Sequence, residues 1–218
     1  MTTFLSVIAT MSTLLRILLA TVAVFALQES ALGQYPELNP DLQRFQNPPH
    51  CYPNNGEWVM TKRNFPYDHH FGGTAKCVKY ERIGPIVGSG MNVRFSWCQD
   101  GYGRGCGSNV GRYVLTSTPG YSTRNQYNFF AVNGVGSFRM HTIYKDCSTC
   151  FVGRYRYALN GYGCIQWRRL SHTFNRRADY CDFIFDLFCG NAPKYQVYDD
   201  SCSRVIGGYN GNYGWWKK

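Results

Sequence analysis

Short segments in which apolar and polar residues alternate run through most of this sequence and restrict it to a fold built of strands. Residues 91–98 show the pattern best, because every second residue is large and apolar. A period of two is typical of a strand with one buried face. Further strands are predicted at residues 58–60, 74–80, 112–116, 128–132, 137–145, 151–159, 163–170 and 195–198. Many short strands in meander order indicate an all-β sandwich or an up-and-down barrel.

The connections between these segments carry turn-forming residues. Asn133-Gly134 and Asn160-Gly161 each lie between two predicted strands and favour tight hairpin turns. Residues 100–111 are rich in glycine and are predicted to form a longer, turn-rich connector.

One segment, residues 178–190, has the pattern of a helix instead. Cys181, Ile184, Phe185 and Phe188 recur at three- and four-residue spacing, and acidic residues lie in the first turn. An apolar stripe of this kind has to pack on another element. We therefore expect the helix to lie against the outside of the strands.

The composition excludes several classes of protein. Aromatic residues make up 17% of the chain and charged residues another 17%, whereas soluble proteins average about 25% charged residues. This balance argues against long surface helices or a coiled coil. The net charge of +10 permits an anionic partner but does not require one.

The cysteines and the N-terminus indicate a secreted protein. Ten cysteines are typical of an oxidising compartment. Residues 17–27 form an apolar run after Arg16 that is too short to span a membrane and matches the core of a signal peptide. The predicted organisation is a signal peptide (1–33, started at Met1 or Met11), an irregular lead-in (34–50), one domain (51–202) and a flexible Gly/aromatic tail (203–218).

Several motifs resemble those of a known family. Gly56-Glu57-Trp58 resembles the Gly-X-Trp opening of lipocalins. The stretches 144–147, 164–167, 181–190 and 198–202 resemble the salivary lipocalins of ticks, whose type members are the histamine-binding proteins. The resemblance covers residues 51–202. It implies an all-β, eight-stranded antiparallel up-and-down lipocalin barrel, with a C-terminal helix packed on its outside and a ligand held inside.

The resemblance also implies a disulfide pattern. It pairs Cys51 with Cys181, Cys77 with Cys202, and Cys147 with Cys189. For the remaining four cysteines we predict Cys98–Cys106 and Cys150–Cys164, because each pair would close a short loop between consecutive strands.

Two departures from the family bear on the ligand. Amine-binding members carry an acid in a Cys-Asp-aliphatic motif and a second acid in a Glu-Leu-Trp motif. Here Ser148 and Ile165 stand at those positions, although Trp167 is kept; shifting the first motif to Cys150 supplies no acid either. A buried ammonium without a carboxylate is costly. We therefore expect an apolar or lipid ligand rather than a biogenic amine.

Strand alternation predicts which residues line the barrel. The resemblance implies that Ile165 and Trp167 face inward, and alternation then places Gln166 and Arg168 outward. The predicted ligand-binding interior consists of Trp58, Val93, Phe95, Trp97, Phe138, Met140, Tyr144, Ser148, Ile165 and Trp167, and the predicted outer face carries Arg94, Arg139, His141 and Lys145. Two alternatives stay open. The aromatic residues could fill the barrel as solid core, or a one-residue shift could bring Arg154 and Arg156 inside, where they would suit a carboxylate lipid.

No pattern indicates catalysis, a cofactor or a metal site. No nucleophile lies near a base, and His69-His70 is expected in a solvated loop. We expect a secreted, non-enzymatic lipocalin of tick saliva that sequesters a small host mediator, lipid or amine, and so evades host inflammatory or haemostatic defence. The alternative is an interaction module whose basic pairs, Arg168-Arg169 and Arg176-Arg177, bind a host protein or glycosaminoglycan. A nucleic-acid partner and a membrane span are not expected.

Overall fold

The strands of this protein close into a single barrel. The structure is a computed structural model that describes residues 35–46, 56–132, 136–173 and 180–206. The predicted signal peptide, Cys51, the Asn133-Gly134 turn, Arg176-Arg177 and residues 207–218 of the predicted tail lie outside these ranges. The strands are β1 (Glu57–Arg63), β2 (Lys76–Val87), β3 (Gly90–Cys98), β4 (Gly107–Thr116), β5 (Gln126–Ala131), β6 (Ser137–Lys145), β7 (Cys150–Tyr155), β8 (Gly163–Arg169) and β9 (Tyr195–Gln196).

The pairing order explains the closure. Strands β2 to β8 pair in sequence order, β8 pairs with β1, and β1 pairs back with β2, all antiparallel. The short β9 adds to the end of β1 at Lys62 and Arg63. This confirms the eight-stranded up-and-down lipocalin barrel, and it leaves no open edge between the eight strands.

Some predicted boundaries were wrong. Strand β2 continues to Val87, and β4 begins at Gly107, inside the segment predicted to be a connector. Strand β7 ends at Tyr155 and is followed by a three-ten turn, Leu159–Gly161, in which Asn160 has a φ of 52°. The ends of strands depend on pairing with a neighbouring strand, which a local pattern does not report. The turn at Asn160-Gly161 lies between β7 and β8, where the sequence predicted a turn.

Helical elements lie outside the barrel. Helix α1 (Tyr180–Phe188) packs its buried Cys181 and Phe185 against Ile143, Val152 and neighbouring residues, as predicted. Helix α2 (Ser203–Ile206) is one turn. Three-ten turns span Pro36–Leu38, Pro40–Phe45, Leu170–His172 and Asp200–Cys202. No helix in the described ranges has both the length and the hydropathy to cross a membrane.

Four disulfides link described residues. Cys77–Cys202 and Cys98–Cys106 form as predicted. The other two are Cys150–Cys181 and Cys164–Cys189, which tie helix α1 to β7 and β8. Cys147 is also disulfide-bonded.

Three predicted pairs, Cys51–Cys181, Cys147–Cys189 and Cys150–Cys164, were therefore wrong. Cys164 lies opposite Arg154, four residues along the sheet from Cys150. At about 3.3 Å per residue, this separation is about 13 Å, well beyond the reach of a disulfide. The expectation of a short closed loop failed here because Cys150 and Cys164 both face outward and pair with cysteines in and directly after helix α1.

Candidate ligand-binding barrel

The interior of the barrel is almost entirely aromatic and aliphatic. The structure places seven of the predicted lining residues in its main core cluster: Trp58, Val93, Phe95, Phe138, Met140, Ile165 and Trp167. Trp97 is partly buried and packs against the same cluster. Alternation along β3, β6 and β8 accounts for these positions, because the residues between them in each strand face outward.

Two predicted lining residues are elsewhere. The pairing of β6 with β7 shifts between Thr142 and Tyr144, so Tyr144 packs against the cluster under helix α1. Ser148 is exposed in the turn between these strands, where its backbone N–H donates to the Asp146 carboxylate at 3.0 Å. A β-bulge adds one residue to a strand and reverses the facing of those that follow.

The same irregularity turns Lys145 into the barrel, which corrects its predicted outward position. Lys145 is 3% exposed, and its Nζ donates to the Tyr127 hydroxyl at 3.0 Å. Tyr127 belongs to the main core cluster. Burial lowers the pKa of Lys145 to about 7. The adjacent apolar pair Ile143-Tyr144, which breaks the alternation, is the sequence signal that indicates this bulge.

The other polar groups inside the barrel are neutral. Trp167 Nε1 donates to the Tyr155 hydroxyl at 3.0 Å. Burial raises the pKa of Tyr155 and of Tyr113 well above the ordinary value, so both phenols keep their protons. Among the described residues, Trp58 Nε1 is buried without a hydrogen-bond partner.

The side chains fill the barrel closely. A cavity of about 10 Å³ remains among the aromatic rings, barely enough for one water molecule. Its lining consists of Tyr80, Phe95, Tyr113, Tyr127, Met140, Phe151, Tyr155 and Trp167. Binding sites for small molecules usually measure about 300–1,000 Å³. The structure therefore shows the filled arrangement, and a ligand could enter only if side chains moved.

One end of the barrel is closed by the connection between β1 and β2, residues 64–75, which we call the mouth loop. Its Phe71 is fully buried, with its ring centroid 4.7 Å from Phe95, 5.4 Å from Phe138 and 5.9 Å from Trp167. Trp58 marks the opposite end, at the start of β1. Gly72 has a φ of +80°, and a Cβ there would lie 2.3 Å from the Trp97 ring, so only glycine fits.

The mouth loop also buries a carboxylate that the sequence did not reveal. Asp68 is fully buried; it accepts hydrogen bonds from the Tyr157 hydroxyl at 2.9 and 3.0 Å and from the His70 N–H at 3.0 Å. Burial raises the pKa of Asp68. Arg63 holds the loop by donating to the carbonyls of Pro66 and Gly73.

His69-His70 was predicted to be solvated, and this holds only for His69. His70 is 7% exposed and its ring lies 4.6 Å from the Tyr157 ring. Burial lowers the pKa of His70 to about 4, so the imidazole is neutral at pH 7. Within the described ranges, no three His, Cys, Asp or Glu residues are grouped to hold a metal ion.

Several cations on the outer face of the barrel form ion pairs. Arg154 is buried outside the barrel, 3.0 Å from Glu37, and Arg168 pairs with Asp182 at 2.8 Å. The alternative register, with Arg154 inside, is therefore not the one observed. Arg94 pairs with Glu81 and Arg139 donates to Asn128, both on the outer face as predicted. His141 also faces outward but is 4% exposed.

Known proteins share this fold and, in part, this sequence. Residues 39–204 match the family model described as tick histamine binding protein. Among solved structures, the AM182 serotonin complex is 17% identical over 69% of this chain and 86% of its own, with a TM-score of 0.51. Lobster apocrustacyanin A1 is 14% identical over 73% of this chain and 86% of its own, also with a TM-score of 0.51.

Japanin from Rhipicephalus appendiculatus, bound to cholesterol, is 10% identical over 67% of this chain and 95% of its own, with a TM-score of 0.48. None of the curated protein sequences matches this chain. The two structures with TM-scores of 0.51 share the lipocalin-like barrel. The match to the family model spans most of the sequence, and with the barrel, its outer helix and its disulfides it shows that the chain belongs to the tick histamine-binding protein family.

Proposed function

We propose that this protein is a secreted carrier that takes up one small apolar molecule in its barrel and thereby removes a host mediator. Membership of a family named for histamine binding supports the binding of a small molecule. The disulfides support an oxidising, extracellular setting. The proposed lining is Trp58, Val93, Phe95, Trp97, Phe138, Met140, Ile165 and Trp167.

The positions of the acidic residues favour an apolar ligand over an amine. Within the described strands the acids are Glu57 and Glu81, and both pair with Lys79 on the outer face. Asp68 lies at the mouth and already accepts hydrogen bonds from Tyr157 and His70. An ammonium entering the barrel would have to displace these donors or remain without a counter-charge, which is costly.

Uptake in this proposal requires the mouth loop to move. The cavity of about 10 Å³ is too small for a mediator, and Phe71 occupies the space between Phe95, Phe138 and Trp167. A ligand would take the place of the Phe71 ring, exchanging one set of apolar contacts for another. The exchange costs little burial energy, because the ligand covers the aromatic surface that Phe71 leaves.

Isothermal titration with arachidonate, cholesterol, histamine and serotonin tests this function. We expect one of the two lipids to bind one to one with a dissociation constant at least tenfold below that of either amine. Tight binding of histamine or serotonin that neither lipid displaces would overturn the preference for an apolar ligand.

The filled barrel gives one observation in favour of a second function, that of an interaction module without a ligand. In that case the basic surface of the chain would bind a host protein or a glycosaminoglycan. Retention on heparin that is lost at about 0.2 M salt, together with no heat from any of the four small molecules, would support this function over the first.

A further inference from the structure

We infer that Lys145 anchors the carboxylate of an apolar acid inside the barrel, an assignment that rests on the proposed ligand-binding function. Lys145 is the last residue of β6 and pairs in register with Phe151 at the start of β7. Phe151 lines the internal cavity and lies 5.4 Å from Trp58 and 6.0 Å from Trp167, measured between ring centroids. The ammonium group therefore sits at the closed end, farthest from the mouth loop.

The hydrogen bonds of Lys145 are incomplete. An ammonium group has three donors, and within the described ranges only one is used, in the bond to the Tyr127 hydroxyl at 3.0 Å. No carboxylate oxygen among the described residues lies within 4.0 Å of its Nζ. The attraction of Asp146, the next residue in the chain, offsets only part of the effect of burial on the pKa of Lys145. A buried ammonium without a paired carboxylate carries a desolvation cost that a ligand carboxylate would offset.

Two other buried cations in the described ranges, Lys79 and Arg154, are paired with carboxylates, whereas the buried Arg63 donates to the backbone carbonyls of Pro66 and Gly73. Lys79 lies 2.9 Å from Glu57 and 3.3 Å from Glu81, and Arg154 lies 3.0 Å from Glu37. All of these pairs are on the outer face of the barrel. Lys145 differs in that it faces the interior, where a bound molecule is the natural source of the missing negative charge.

A second donor lies at the same end of the barrel. Trp58 Nε1 is buried and has no hydrogen-bond partner among the described residues. An acid whose carboxylate reached Lys145 would place its apolar chain along the aromatic rings toward Phe71. A sterol or a fatty alcohol could fill the same space but would leave the ammonium unpaired, and an amine would be repelled by it.

The test compares arachidonic acid with its methyl ester, which has the same chain and no charge. Titrations at pH 6.5 use the wild type, Lys145→Met and, as a control, Lys194→Met, which removes a half-exposed lysine on the surface. We expect the acid to bind the wild type and the control at least tenfold more tightly than the ester. Lys145→Met should lose this preference and keep its affinity for the ester.

Each other outcome is decisive. If the acid and the ester bind equally to the wild type and to Lys145→Met, the anchor is wrong and the apolar barrel stands. If neither molecule binds the wild type, the anchor fails, and the titration with cholesterol then decides whether the proposed apolar ligand fails with it.

A second measurement needs no variant. We expect the ¹³C-carboxyl signal of bound, labelled arachidonate to stay at its ionised position from pH 8 to pH 5, since a nearby cation lowers the pKa of a carboxyl group. A signal that titrates within this range would show a carboxyl buried without the lysine, and would overturn the anchor.

Discussion

Two buried ionisable residues lie at opposite ends of the barrel. Lys145 lies near Trp58 at the closed end, and Asp68 lies in the mouth loop. Between them the phenols of Tyr113 and Tyr155 stay protonated because burial raises their pKa. Asp68 already has its donors, whereas Lys145 has one acceptor within the described ranges. Under the proposed function, a ligand would therefore gain more from carrying a negative group than from carrying a positive one.

Lys145 should make the stability of the ligand-free protein depend on pH. The pKa of Lys145 is about 7 in the folded state and 10.5 ordinarily, so between these values the unfolded chain binds a proton that the folded chain does not. The free energy of unfolding should therefore rise from pH 7 to pH 9, by up to about 1.4 kcal/mol per pH unit.

Urea unfolding at pH 7, 8 and 9 measures this rise. Lys145→Met should flatten the rise and increase stability at pH 7, while Lys194→Met should behave as the wild type. Equal pH dependence in the wild type and Lys145→Met would show that Lys145 is not buried in the folded protein.

Two segments outside the strands cover the barrel: the mouth loop closes one end, and the N-terminal three-ten turns pack on its outer face. Phe71 seals one end from within. On the outside, the three-ten turn Pro36–Leu38 brings Glu37, fully buried, to Arg154. Arg154 also donates to the Phe188 carbonyl at the end of helix α1. The turn and the helix are thus joined through one guanidinium group.

Removing the Phe71 ring should open the barrel. We expect Phe71→Ala to lower the free energy of unfolding by about 3–5 kcal/mol and to speed the entry of arachidonate, because the ring no longer has to leave. Stopped-flow quenching of tryptophan fluorescence measures the rate. Tyr67→Ala removes an exposed ring from the same loop and should leave the rate unchanged. Equal rates for the wild type and Phe71→Ala would show that the Phe71 ring does not limit the entry of a ligand.

Breaking the Glu37–Arg154 pair should be costly, because it leaves a buried guanidinium without its carboxylate. Glu37→Gln is expected to lower the free energy of unfolding by about 3–5 kcal/mol. Asp100→Asn is the matched control: its partner Arg104 is largely exposed, and solvent-exposed pairs of this kind contribute little to stability. Thermal and urea unfolding measure both variants. Similar losses for the two would mean that Glu37 is not buried in solution.

At the scale of the whole molecule, alternation along the strands was enough to predict the β fold, and the resemblance gave its closure into eight strands. The apolar stripe of residues 178–190 predicted helix α1 and its outward position. The bulge after Thr142 left a local signal in the adjacent apolar pair Ile143-Tyr144. Local patterns could not reveal the insertion of Phe71 or the burial of Asp68, because each depends on contacts between segments distant in sequence. The disulfide partners of Cys150 and Cys164, which are Cys181 and Cys189 of the helical segment, depend in the same way on where the helix lies.

Competition in native mass spectrometry tests the central claim, that the barrel takes up an apolar acid at Lys145. The protein is mixed with equimolar arachidonic acid, cholesterol, histamine and serotonin, whose masses differ. We expect a dominant one-to-one complex of the wild type with arachidonic acid, and an at least tenfold weaker complex of Lys145→Met with the same acid. A spectrum of bare protein, or of histamine and serotonin complexes alone, would contradict it.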